Sequence, residues 1–331
     1  MAQQEASPVS RSRRIGRWLA VMVGIAAAGL LVRHLTDLEH FAILVRQAQP
    51  LWLLVGLGLQ VSTYVMVALS WKLVLLRAGL RRKLHVLLPV SISKLFADQA
   101  LPGAGLGGHV LLVDRLMALG APRGAAAATL LISMIGYYLA YMVLALAMLL
   151  VLWLHHRATP LLSGLVTTFL LVALAIPLLA LWLRHRGSQP LPPWLERVGP
   201  VRSILTTIGE APVDLVGDRR LLVRVSLLNG GVFLADAATL AVCMRALGMP
   251  WDPATAFLAL MAGSIAATLA PIPLGLGSFE ASSTAMMASL GVPVEAALTA
   301  TLLLRGLTLW LPLLPGLVLM RTGWHGKGER R

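Results

Sequence analysis

The sequence predicts an all-α polytopic membrane protein with about six full transmembrane helices and two re-entrant helical hairpins, arranged as an inverted repeat. Three observations carry this. Of 331 residues, 58% are hydrophobic and 13% charged, and mean hydropathy is +0.81, which excludes an ordinary soluble domain. Apolar runs of transmembrane length recur, with Arg and Lys gathered at their ends. Two further apolar runs are interrupted by Pro and Gly clusters, and the two interruptions echo each other.

Taken in order, residues 1–14 are polar and read as a disordered cytoplasmic tail. Arg11, Arg13, Arg14 and Arg17 precede the first apolar run, and no small-residue cleavage site stands near Val32. That run is therefore expected to be an uncleaved span rather than a signal peptide. The first membrane half, 15–183, holds spans at roughly 15–32, 51–73, 125–154 and 161–183. Between the second and third lies a broken segment, 84–120, whose arms are short for a crossing that takes about 20 residues. A hairpin that enters and leaves on one side is the natural reading. Residues 184–220 form a polar linker loop. The second half, 221–320, has spans at roughly 221–247 and 296–320 around a second broken hairpin, 253–292. A basic tail, 321–331, ends the sequence.

The charges fix an expected orientation. With both termini in the cytoplasm, the turn of Arg77, Arg81, Arg82 and Lys83, the loop 184–220, and the tail with Arg321, Lys327, Arg330 and Arg331 all fall inside. Trp18, Trp52, Trp71, Trp153, Trp182, Trp251 and Trp324 lie near span ends, as an aromatic belt requires; Trp310 is the exception and should face a neighbouring helix. This distribution also accounts for the net charge of +14, so no nucleic-acid partner is expected. In this orientation the first hairpin opens from the cytoplasm and the second from outside.

The second break organises the chain. In Ala270-Pro271-Ile272-Pro273-Leu274-Gly275-Leu276-Gly277-Ser278-Phe279-Glu280, two prolines remove backbone donors and the glycines loosen what remains, so no continuous helix passes through. Leu101-Pro102-Gly103-Ala104-Gly105-Leu106-Gly107 echoes it. Leu119-Gly120-Ala121-Pro122 likewise echoes Leu290-Gly291-Val292-Pro293. Two matched motifs at nearly equal spacing indicate duplication. Inverted repeats with discontinuous helices are a transporter architecture, with the substrate site near the midplane.

Candidate substrate-binding residues gather at the breaks. Arg305 lies about 12 residues into the last span, roughly 18 Å deep at 1.5 Å per residue. A planar guanidinium suits a phosphate-bearing headgroup, and Glu280 would tune or gate it. The structural alternative is an ion pair that locks the hairpin to the last span. Asp236, midway along its span, either relays a proton or ion, pairs with Arg305, or accepts helix–helix hydrogen bonds. Gly275, Gly277, Gly105 and Gly107 allow close backbone approach at the breaks. His109, Asp114 and Arg115 follow the first break and are expected to line the same cavity. Lys94 and Asp98, four apart, are expected to pair locally.

Several readings are excluded. Gly103, Gly105 and Gly108 match a dinucleotide-binding spacing, but no strand precedes them. His155 and His156 have no acidic or thiol partner nearby for a metal. Cys243 is alone, so there is no disulfide framework. No hydrolase or ATP-binding motif appears. Neither catalysis nor a cofactor is expected, and movement of a substrate would be passive, ion-coupled or pulled by downstream chemistry.

The residues Leu101-Pro102-Gly103 with Gly105, Gly107 and Gly108, then Pro273-Leu274-Gly275-Leu276-Gly277-Ser278-Phe279-Glu280, Leu290-Gly291-Val292-Pro293 and Leu304-Arg305, resemble the lysylphosphatidylglycerol synthase transmembrane region, a flippase-like family, over roughly residues 50–320. Many members carry an acidic residue after the first glycine cluster and a basic one three positions on. Here those places hold His109 and Leu112, with Asp114 and Arg115 following. The resemblance implies movement of phospholipids, polyprenyl-linked sugars or hopanoid-type lipids between leaflets of a bacterial inner membrane. It covers the membrane half of such synthases without their aminoacyl-transfer domain. The alternative is a non-transporting accessory subunit whose basic loop recruits a lipid-modifying enzyme.

Overall fold

The computed structural model describes residues 46, 48–100, 106–155, 159–186, 209, 211–270, 275–311 and 315, and every regular element among them is helical. The chain divides into two units, Met1–Ala48 and Gln49–Arg331, and all elements below belong to the second. The tails 1–14 and 321–331, the first expected span, most of the linker and the prolines of both breaks lie outside the described residues.

Two sets of four helices follow one plan. The first is α1 (Pro50–Arg77), α2 (Leu84–Ala100), α3 (Leu106–Ala118) and α4 (Arg123–Leu154). After α5 (Pro160–Arg186) and the single turn α6 (Val213–Val216) comes the second: α7 (Arg219–Ala246), α8 (Pro253–Leu269), α9 (Ser278–Ser289) and α10 (Val294–Arg305), prolonged by a π turn, Gly306–Trp310. The lengths repeat: 28, 17 and 13 residues for α1 to α3, and 28, 17 and 12 for α7 to α9. So does the packing, since in each set the first helix packs on the second, second on third, third on fourth and fourth on first.

Chain reversals are built alike. Leu80 N donates to Leu75 O, Ala121 N to Leu116 O, Met249 N to Met244 O and Val292 N to Met287 O, at 2.8 to 3.1 Å. Each closes its helix with the same six-to-one bond around a glycine at positive φ, namely Gly79, Gly120, Gly248 and Gly291. The Gly79 and Gly248 pair extends the repeat beyond the motifs legible in the sequence.

The repeat is inverted. The corresponding helices α1 and α7 form the most extensive helix pair among the described residues, and they run antiparallel. Gln49 N at the start of α1 donates to Ala246 O at the end of α7 at 2.9 Å, and Trp52 stacks on Trp251 at 6.4 Å. At the other end, Arg77 Nε donates to Asp218 Oδ2 at 2.8 Å. The turn after α1 and the loop before α7, both basic, therefore share one face.

Helices α1, α4, α7 and Pro160–Trp182 of α5 are long and apolar enough to cross a membrane. The broken arms of 12 to 17 residues reach only about 18 to 26 Å, short of a hydrocarbon core of about 30 Å. Outward-facing Leu54, Val143, Leu171 and Leu227 are more than 60% exposed, as suits a surface solvated by lipid tails. The small-residue run Ala125–Ala128, which the sequence left open to packing within or between chains, is buried within this one. Ala126 belongs to a core cluster with Trp71, Leu112 and Leu116, while Ala127 and Ala128 belong to one with Val74, Leu221 and Val225.

Two helix N-caps outside the membrane spans are carboxylates, Asp218 and Asp252. Asp218 Oδ1 accepts from Leu221 N at 3.1 Å. The hydrogen bond from Arg77, then that from Leu221, holds this carboxyl below its usual range. Asp252 caps α8, accepting from Thr255 N at 3.0 Å and Thr255 Oγ1 at 2.6 Å. Desolvation pushes its carboxyl up, but these bonds outweigh it and the group sits low.

Candidate functional site

The second break is held by one carboxylate with two duties. Gly277, at φ +84°, is the N-cap of α9. Its amide donates to Glu280 Oε2 at 2.6 Å, so the third helical residue reaches back to close the first turn. The other oxygen, Oε1, accepts from Arg305 Nε at 2.7 Å. Ser278 Oγ donates to Gly275 O at 3.0 Å and braces the turn behind it.

Arg305 ends α10, where the ladder changes to the π turn. Its guanidinium carbon lies 4.7 Å from the centroid of the Phe279 ring, a cation–π geometry. Phe279 in turn rests on Gly263 of α8, where an added Cβ would come within 3.0 Å of the ring. One turn along, Ser283 and Thr301 share a hydrogen bond of 3.2 Å, both fully buried. The rungs 280 to 305 and 283 to 301 fix α9 and α10 as antiparallel neighbours. The side chains of Arg305 and Glu280 keep 12% and 14% exposure, so the pair is sheltered yet reachable.

Glycine is required at Gly275. Its φ is +61° and a Cβ would overlap Ala267 of α8. The first hairpin has a counterpart in Gly108, where a Cβ would overlap the Asp98 carboxylate and lie 2.8 Å from Lys94 O. As expected, Lys94 Nζ pairs with Asp98 Oδ2, at 2.7 Å, while Asp98 Oδ1 is buried with no hydrogen-bond partner among the described residues.

Asp236 accepts a helix–helix hydrogen bond, one of the alternatives expected for it. Gln60 Nε2 of α1 donates to Asp236 Oδ1 at 2.8 Å and to Thr239 Oγ1 at 3.1 Å. The bond is helix to helix, and the partner Arg305 finds is Glu280. In the first half, His109 and Arg115 are partly buried on α3, while Asp114 is exposed and makes no ion pair among the described residues. Leu112 is 1% exposed and belongs to the core with Trp71 and Leu116. Gly107 lies in the first turn of α3, and Gly105 falls outside the described residues.

The chain matches the family described as Lysylphosphatidylglycerol synthase TM region over residues 17–316. The chain belongs to that family. The match takes in both broken segments and the ion pair of Glu280 with Arg305. Membership of the lysylphosphatidylglycerol synthase TM region family makes this a multi-pass membrane protein that acts on lipids. No curated protein matches the chain closely enough to add a relative.

Two features of the family member escaped the sequence reading. Gln60 is a lone amide inside an apolar run, a signal present but passed over. Tyr137 and Tyr141 of α4 and Phe233 of α7 form an aromatic cluster, with centroids 4.6 to 5.8 Å apart, and Tyr141 also packs on Phe169 of α5 at 4.3 Å. The Tyr141 hydroxyl lies 3.3 Å from Thr268 Oγ1, near the last turn of α8 at the second break. Periodicity alone does not show that three spans and one arm converge there.

Proposed function

We propose that the chain moves a lipid, or a lipid-linked anionic compound, between the two leaflets. The observation that carries this reading is the shared carboxylate of Glu280. It ties Arg305 to the N-cap of an interrupted helix at 2.7 and 2.6 Å, in a pair that stays partly exposed. A charged pair inside the membrane is costly to build, and such groups mark substrate paths.

The chemistry follows from exchange. A phosphate diester offers Arg305 an anionic oxygen in place of Glu280 Oε1, so an entering headgroup replaces one charge-assisted bond by another, and the cost falls on the displaced Glu280 carboxylate. Withdrawal of Glu280 would also release the amide of Gly277, which links headgroup arrival to loosening of the first turn of α9. Acyl or prenyl tails remain in the surrounding lipid. The inverted repeat supports the reading further, because it supplies two broken segments opening in opposite senses. The basic shared face is assigned to the cytoplasm on the charge rule, and the membrane to the bacterial inner membrane on the resemblance.

The test is mass spectrometry of lipids that co-purify with the wild type and with Arg305→Met. A lipid class enriched in the wild type and lost in the variant identifies the cargo. The double variant Arg305→Met/Glu280→Gln lacks the arginine without leaving an unpaired carboxylate, and controls for folding. The same lipids in all three samples would overturn the assignment of Arg305.

A further inference from the structure

Away from the breaks, the paired ends of α1 and α7 border an open cavity of about 730 Å³. Arg77, Arg219, Arg220 and Arg224 line it against two carboxylates, Asp214 and Asp218. Arg77 is neutralised by Asp218 at 2.8 Å, and the amide of Leu221 is used by the same cap. Arg219, Arg220 and Arg224 make no ion pair among the described residues, so the remaining balance is three cations against Asp214. Arg220 and Arg224 are four apart and lie on one helix face.

The rest of the lining is apolar. Leu73 and Leu76 of α1, Gly217, and Leu221 of α7 complete it. Arg224 sits five residues into a spanning helix, about 7 to 8 Å from its start, between the lipid-facing Val223 and Leu227, which are 57% and 70% exposed. A cation at that depth, with apolar neighbours, belongs at the boundary between headgroups and acyl chains.

We propose that this cavity binds the phosphate of an anionic membrane lipid on Arg219, Arg220 and Arg224, with an acyl chain along Leu73 and Leu76. The apolar lining is the reason to choose a lipid over free phosphate. The bound lipid bridges the two repeats at the end where an exposed ion pair otherwise joins them. The site is separate from the Glu280 carboxylate and does not depend on translocation.

The only native cysteine, Cys243, is fully buried, whereas Val223, next to Arg224 but not part of the lining, is 57% exposed, so a fluorophore can be placed by Val223→Cys. In phosphatidylcholine nanodiscs, acyl-brominated phosphatidylglycerol should quench it at a mole fraction roughly 10-fold lower than brominated phosphatidylcholine, equivalent to about 1.4 kcal/mol. Arg220→Gln/Arg224→Gln should erase that preference while circular dichroism and elution volume stay unchanged. Equal quenching by the two lipids in the labelled protein would overturn the proposal before any arginine is replaced. So would an unchanged preference in the folded double variant. Release of the brominated lipid by millimolar inorganic phosphate would reassign the cavity to free phosphate, and the lipid site would be lost.

Discussion

Gln60 donates to Asp236 at 2.8 Å, joining the two helices that hold the same place in the two repeats. With Gln49 bonded to Ala246 at one end and Arg77 to Asp218 at the other, α1 and α7 are fastened at three levels. The middle one is the least replaceable, because no water is at hand in a bilayer to take over a lost bond.

Gln60→Leu should therefore destabilise the protein by about 1 to 3 kcal/mol, since it strips a donor from both Asp236 and Thr239. Gln60→Leu/Asp236→Leu should recover part of the loss. Equilibrium unfolding in mixed micelles measures both. A double variant as unstable as the sum of the singles would show that the bond is not the cause.

Arg305→Met should cost about 3 to 5 kcal/mol, because the Glu280 carboxylate is left without its counter-ion. Glu280→Gln should cost less, since the amide oxygen can still accept from Gly277. The double variant should be more stable than Arg305→Met alone. A thermal-unfolding cycle with no coupling between the two positions would contradict this geometry.

Gly275→Ala should lower stability by about 1 to 3 kcal/mol through its positive φ and its overlap with Ala267. Adding Ala267→Gly removes the overlap but not the backbone strain, so rescue should be partial. Complete rescue would assign the whole effect to sterics.

Acid should loosen the junction of α1 with α7. The folded-state carboxyl of Asp218 is depressed by Arg77 and Leu221. Its contribution is thus fully present above the unfolded value of about 3.9 and lost as pH falls through the lower folded value. Asp218→Asn keeps a good cap but removes the charge. Hydrogen exchange in the first turn of α7 should differ between the two proteins at neutral pH and converge in strong acid. A constant difference across pH would show that the charge is irrelevant.

Much of the fold was legible because membrane helices declare themselves. The expected spans 51–73, 125–154 and 221–247 became Pro50–Arg77, Arg123–Leu154 and Arg219–Ala246, since length and apolarity are properties of composition along the chain. The arms were legible too, as Pro and Gly stop helices by local sterics. The pairing of Lys94 with Asp98 followed from spacing on one helix. The partner of Asp236 did not, because it lies 176 residues away on a helix whose rotation no local pattern fixes. Nor did the sequence decide between Asp236 and Glu280 as the partner of Arg305.

By itself, then, the sequence determined that this is a helical membrane protein of duplicated halves, with charge held at its breaks. Those features rest on hydropathy, charge placement and backbone chemistry, each set by residues close together in the chain. Only the tertiary structure decided that α1 and α7 lie antiparallel, that one carboxylate serves both a helix cap and Arg305, and that three arginines share a cavity with leucines. These depend on how helices turn about their axes and cross, which packing between distant segments settles.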